Sequence, residues 1–213
     1  MDFLPDKLVQ YTESHTSPES DILSKINRDT QANVLKPRML SGHLQGRVLA
    51  MISQLMQPKL ILEIGTYTGY SAICLSEGLQ SGGSLISIDI NEELAPRVKK
   101  NFADAGVAHK IDYRIGNALE IIPSIQAAID LVFIDADKAN YSNYFDLVID
   151  KVRHNGVILA DNVLWSGKVI DGSHDKDTQA ILEFNAKVHT DKRVENVLLP
   201  IRDGIMMLRK VSL

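Results

Sequence analysis

The chain has 213 residues, 45% of them apolar and 23% charged, with a formal net charge of −4. These values fit one soluble α/β domain spanning 1–213, and the acidic balance gives no electrostatic reason to expect a polyanion as the main partner. The single cysteine, Cys74, excludes an intrachain disulfide and makes a reducing cytoplasm the simplest compartment. The first residues, Met1-Asp2-Phe3-Leu4-Pro5-Asp6, carry neither a basic region nor a long apolar one, and no run approaches 18 apolar residues. No signal peptide and no membrane span are expected.

In chain order, residues 1–40 are polar and form an N-terminal helical segment, with a helix start at Ser17-Pro18-Glu19-Ser20-Asp21. Leu44, Val48, Met51, Ile52 and Leu55 follow a helical period that stops at Gln57-Pro58. Strand and helix then alternate. Apolar runs at 60–64, 84–90, 111–115, 130–135 and 157–160 are separated by amphipathic stretches. One of these, 141–152, places Tyr144, Phe145, Val148, Ile149 and Val152 on one face, and another holds Cys74 as a packed helical residue. This alternation predicts a doubly wound, Rossmann-like parallel sheet. At the end, strand-like runs at 194–199 and 205–208 flank the turn Arg202-Asp203-Gly204. They pair antiparallel, because a parallel crossover needs about a dozen residues or more.

Chemistry gathers where strands end. The first strand breaks into Gly65-Thr66-Tyr67-Thr68-Gly69-Tyr70-Ser71, a G-x-x-x-G turn that brings backbone close to a ligand at a helix N-terminus. The dinucleotide pattern is G-x-G-x-x-G, so a dehydrogenase is disfavoured. Asp89 ends the second strand, where a carboxylate accepts hydrogen bonds from the ribose hydroxyls of an adenosine ligand. Gly116-Asn117-Ala118 follows the third strand, either as an adenine site or as a simple turn. The fourth and fifth strands lead into Asp135-Ala136-Asp137-Lys138 and Asp161-Asn162. Asp135, Asp161 and Asn162 offer two carboxylates and an amide oxygen, a hard set suited to Mg²⁺, Mn²⁺ or Ca²⁺ and leaving about three octahedral positions open. Lys138 falls within reach of that set, and Trp165 walls a pocket or covers the domain edge.

These motifs together resemble the class I, cation-dependent O-methyltransferases, the group of the caffeoyl-CoA and catechol O-methyltransferases, and within it the small bacterial branch. The resemblance rests on Leu62-Glu63-Ile64-Gly65-Thr66-Tyr67-Thr68-Gly69-Tyr70-Ser71, Phe133-Ile134-Asp135-Ala136-Asp137-Lys138, Asp161-Asn162-Val163-Leu164-Trp165 and Leu199-Pro200-Ile201-Arg202-Asp203-Gly204. It implies a seven-stranded, mostly parallel sheet with an antiparallel C-terminal strand, and a homodimer. It implies S-adenosylmethionine as cofactor, surrounded by Met39, Glu63, Gly65, Thr66, Tyr67, Ser71, Asp89, Asn117, Ala118 and Asp135, with the segment around Met39 closing over it. It also implies a divalent cation, most simply Mg²⁺, on Asp135, Asp161 and Asn162, with Lys138 handling the proton. The expected reaction is methylation of a small hydroxylated, catechol-like or caffeoyl-type acceptor. Two alternatives remain: a tRNA hydroxyuridine O-methyltransferase, and a non-catalytic S-adenosylmethionine-binding module. The motif departs from the animal catechol enzymes at Ala136-Asp137 and in the absence of an acid from 197–201, and from the bacterial branch at Arg202, where glycine is usual.

Overall fold

A computed structural model of the chain describes residues 5–172 and 175–211. Its strands form one mixed sheet in the order β3-β2-β1-β4-β5-β7-β6. The chain divides into two compact units, Pro5–Gly116 and the residues from Asn117 onward.

The first unit contains α1 (Asp6–Ser14), α2 (Asp21–Asn33), α3 (Gly42–Met56), β1 (Leu60–Ile64), α4 (Tyr70–Ser76), β2 (Ser84–Asp89), α5 (Ala95–Asp104) and β3 (Ile111–Ile115). β1 runs parallel to β2 and β2 to β3. Every residue of β1 is buried, as expected for a parallel strand covered on both faces. Ser20 caps α2 by accepting from the Leu23 amide, and Leu23, Ile26 and Thr30 line its buried face. Lys25–Asp104 (3.0 Å) and Arg97–Asp29 ion pairs tie α2 to α5. α2 is therefore an integral layer of the unit. α1 buries no residue, and after α2 Leu35 and Met39 face solvent.

α3 forms where its period predicts, but it buries a different face. Gln45, Gly46, Leu49, Ala50 and Ser53 point inward, whereas Met51 and Leu55 (79% exposed) point outward. Close packing against α4 and the turn after it selects this face. A Cβ on Gly46 would lie 2.7 Å from Tyr70 Cε1, and one on Gly78 would lie 2.1 Å from the Ser53 backbone. Ser53 Oγ donates to the Leu75 carbonyl at 2.6 Å. Small residues let α3 and α4 touch, and large apolar ones there would force them apart. Cys74 sits buried in α4 as expected.

The second unit contains α6 (Ala118–Ile121), β4 (Ile129–Ile134), α7 (Tyr141–Ile149), β5 (Val152–Asp161), α8 (Lys176–Thr190), β6 (Val194–Leu199) and β7 (Ile205–Lys210). β4 and β5 are parallel, and Ile134 pairs with Ala160. The residues that follow, Asp135 and Asp161, thus leave adjacent strand ends at the same level. β7 runs antiparallel to both β5 and β6, which gives the expected reversed hairpin. α7 ends at Ile149, so Val152 belongs to β5, which begins earlier than its apolar run predicts. The polar residues Arg153, His154 and Asn155 hid that start. Among the described residues no helix is long and apolar enough to cross a membrane.

Candidate active site

The turn between β1 and α4 depends on left-handed backbone. Gly65 has φ 100° and Gly69 φ 84°, and a Cβ on Gly69 would meet Phe102 at 2.6 Å. Tyr67 shares the left-handed region at φ 51°. Asp89 grips this turn from the tip of β2. Its Oδ2 accepts from the amides of Thr66 (2.9 Å) and Tyr67 (2.7 Å), and its Oδ1 from Asn91 (2.8 Å). Asp89 is thus more than a helix-capping acid, a role that Asn91 fills by accepting from Glu93.

Glu63, the fourth residue of β1, is fully buried. Ser71 donates to its Oε1 at 2.6 Å and Ser87, its partner across the sheet, donates to its Oε2. Because Ser87 spends its one proton there, Thr66 is the donor in the Thr66–Ser87 hydroxyl contact. Tyr67 reaches the other way and donates to the Leu35 carbonyl at 3.0 Å, tying the turn to the segment that ends at exposed Met39. Burial raises the Tyr67 phenol above its ordinary value. Glu63, Thr66, Tyr67, Ser71 and Asp89, with Ser87, thus form one hydrogen-bonded group, Gly65 donates beside it to the Ile88 carbonyl, and Met39 lies on a segment fastened to it.

In the second unit, Asn117 caps α6. Its Oδ1 accepts from the Leu119 amide at 3.0 Å and its Nδ2 donates to Glu120 at 3.2 Å, while Ala118 is buried. The larger cluster lies at the ends of β4 and β5. Lys138, buried at the start of the turn before α7, donates from Nζ to Tyr141 Oη (2.6 Å), Asn162 Oδ1 (2.8 Å) and Asp135 Oδ1 (3.3 Å). Its three N–H donors thus meet three acceptors. The Tyr141 ring lies 4.6 Å and the Trp165 ring 5.8 Å from the same nitrogen. Asp161 is 3% exposed, and its Oδ1 accepts from the Asn162 amide at 2.8 Å.

Tyr141 is the residue that sequence reasoning missed. Its hydroxyl accepts from Lys138 and donates to the Asp161 carbonyl at 2.9 Å. Burial, then the charges of Asp135, Asp161 and Asp137, push its phenol well above the ordinary value and keep it neutral. The spacing Asp135, Lys138, Tyr141, three residues apart each time, is the signal that was available.

Among the described residues no three His, Cys, Asp or Glu side chains form a metal cluster. The set present is two carboxylates and one amide. The oxygens of Asp135 and Asn162 already converge on a cationic nitrogen, so the donor chemistry fits a hard cation.

The O-methyltransferase family model matches residues 13–211. A caffeoyl-CoA O-methyltransferase of Arabidopsis thaliana is 36% identical over 97% of this chain and 85% of its own length. The crystal structure of an O-methyltransferase from Bacillus cereus in complex with SAH is similar with a TM-score of 0.88 and 31% identity, over 96% of this chain and 97% of that one. A SAH-bound methyltransferase of Podospora anserina gives a TM-score of 0.90 at 27% identity, over the whole of both chains. The chain belongs to the O-methyltransferase family.

Proposed function

We propose that the chain, as a single methyltransferase domain, moves the methyl group of S-adenosylmethionine to a hydroxyl oxygen of a small aromatic acceptor bearing adjacent hydroxyls, with one divalent cation. The observation that carries this is the convergence of Asp135, Asn162 and Tyr141 on Lys138 Nζ beside buried Asp161. Relatives named for caffeoyl-CoA methylation, and neighbours solved with SAH, support the substrate class and the cofactor. The cofactor is assigned to Met39, Glu63, Gly65, Thr66, Tyr67, Ser71, Asp89, Asn117, Ala118 and Asp135.

In the reaction the acceptor oxygen forms a bond to the methyl carbon as the carbon–sulfur bond breaks, S-adenosylhomocysteine leaves, and one proton is released. In-line alignment of the two reactants supplies much of the rate. Asp135, Asp161 and Asn162 would hold a divalent cation, which as a Lewis acid stabilises the acceptor oxygen as an anion. Lys138 steers the acceptor hydroxyl by donating from Nζ to its oxygen, exchanging one of its present partners for it, as that oxygen's proton leaves. Tyr141 keeps that nitrogen in place, and Trp165 offers an apolar wall to the ring.

The test is methyl transfer from labelled S-adenosylmethionine to caffeic acid, to its single-hydroxyl analogues and to 5-hydroxyuridine-containing tRNA. Activity on caffeic acid should vanish with EDTA, return with Mg²⁺, and fail in Asp161→Ala while that variant still binds the cofactor. Full activity after chelation refutes the metal role. Equal rates on mono- and dihydroxy compounds refute chelation, and a strong preference for tRNA moves the assignment to nucleic acid.

A further inference from the structure

The chain leaves β5 in a conformation that side chains resist. Asn162 (φ 60°), Trp165 (φ 47°) and Ser166 (φ 55°) all occupy the left-handed region within five residues, and none is glycine. That region is disfavoured for residues with a Cβ, most of all for bulky ones, and persists only where the surroundings over-determine it. Here the β6–β7 turn does so. Gly204 O accepts from the Val163 amide at 3.1 Å and Asp203 O from the Leu164 amide at 2.9 Å. Gly204 itself has φ 86°, and a Cβ there would stand 2.5 Å from Leu164 Cγ, so turn and loop pack against each other closely. One side chain joins these backbone contacts: Asp203 Oδ1 accepts from the amide of Ser166, the residue after Trp165.

The loop held in this way carries two functional groups. Asn162 Oδ1 meets Lys138 Nζ at 2.8 Å, and the Trp165 ring lies 5.8 Å from the same nitrogen. The Trp165 indole Nε1 is buried without a hydrogen-bond partner. A buried unpaired donor is costly, so the indole is held there by its surroundings and not by a bond of its own.

We propose that Asp203 is a positioning residue for methyl transfer: its carboxylate fixes the left-handed Trp165-Ser166 step and so holds the indole and Asn162 against Lys138. This rests on the reading of Asn162 and Lys138 given under the proposed function. Asp203 itself touches no reacting atom; it acts through the loop. The backbone bonds of the turn are independent of the side chain, so replacing Asp203 loosens the loop without removing the hairpin.

Trp165 is the only tryptophan in the chain, so intrinsic fluorescence reports on this loop directly. Asp203→Ala and Asp203→Asn are compared with wild type by emission maximum, acrylamide quenching, S-adenosylmethionine affinity by calorimetry, and KM for caffeic acid with Mg²⁺. In Asp203→Ala the emission moves to the red, quenching rises, and the caffeic acid KM rises about ten-fold, as for a lost charge-assisted hydrogen bond. Cofactor affinity stays within about two-fold, since additivity isolates distant sites. Asp203→Asn, which keeps an oxygen acceptor for the Ser166 amide, restores both fluorescence and KM.

Unchanged emission and quenching in Asp203→Ala overturn the proposal, as does an Asn variant as damaged as the Ala variant. An equal loss of cofactor affinity and thermal stability also overturns it, because that is the mark of a purely structural turn. Failure of the metal reading appears separately, as methylation that survives EDTA, while the fluorescence comparison of the two variants still decides the role of Asp203.

Discussion

Replacing Tyr141 by Phe removes one oxygen and leaves the ring. The ring keeps its edge-on contact with Phe184, at 5.4 Å between centroids, so no cavity forms. The Lys138 ammonium loses its 2.6 Å acceptor, and the Asp161 carbonyl loses its 2.9 Å donor, both in a buried setting. One lost bond at a buried carbonyl and one lost bond to a charged donor together cost about 2–4 kcal/mol. For a chain of this size each kcal/mol lowers the midpoint by about 2–4 °C, so Tm should fall by about 4–16 °C. The Tyr141 phenol stays neutral through the physiological range, because burial and three nearby aspartates hold its proton. The deficit should therefore be the same at every pH from about 6 to 9. Thermal unfolding followed by circular dichroism reads the shift, and methylation assays read a lower kcat at unchanged cofactor affinity. A midpoint within about 1 °C of wild type, far below the expected shift, would mean that the hydroxyl ties nothing together.

Three further outcomes follow from the packing and the buried acids. Gly78→Ala places a methyl group 2.1 Å from the Ser53 backbone, so α3 and α4 must separate; the cost is at or above the usual overpacking range of about 1–3 kcal/mol, read as a lower denaturant midpoint. Ser87→Ala takes a hydroxyl donor from the fully buried Glu63 carboxylate, which should cost about 1.5–3 kcal/mol and weaken S-adenosylmethionine binding in calorimetry; an unchanged midpoint contradicts the buried network. Burial raises the phenols of Tyr70, Tyr113, Tyr141 and Tyr144 and pushes the Cys74 thiol up to about 12. The folded chain then holds protons that the unfolded chain releases, so stability is full at neutral pH and falls as pH rises above about 9. A flat stability profile from pH 8 to about 11 would contradict that burial.

The sequence made the strand ends legible because a parallel strand is a short apolar run and the acid at its end breaks that run at once. Asp89, Asp135 and Asp161 stand at or just past strand ends in the structure for that reason. The reversed hairpin was legible from the short turn alone. The inward face of α3 was not, because hydrophobic periodicity assumes that large side chains mark the core. Where α3 packs tightly on α4 and the turn after it, Gly46, Ala50 and Ser53 mark the core instead, and Leu55 is left outside. Tyr141 and Asp203 were hidden for another reason. Their partners, Asp161 and Ser166, lie 20 and 37 residues away, and no local pattern announces a hydrogen bond across that distance.

An acid at a strand tip is one symbol in the sequence and several different devices in the structure. Asp89 accepts from three backbone amides, so part of its charge stabilises the turn that holds Thr66 and Tyr67. A carboxylate has about four acceptor positions, which leaves Asp89 capacity for a ligand's hydroxyls. Glu63 is enclosed by hydroxyl donors and fully buried. Asp135, in contrast, meets the ammonium of Lys138, and the amide oxygen of Asn162 meets the same nitrogen. Neutral donors organise backbone, whereas a shared cation marks oxygens arranged to gather positive charge. The setting of each acid is therefore defined by what donates to it, and that separates the loop-gripping aspartate from the set around Lys138.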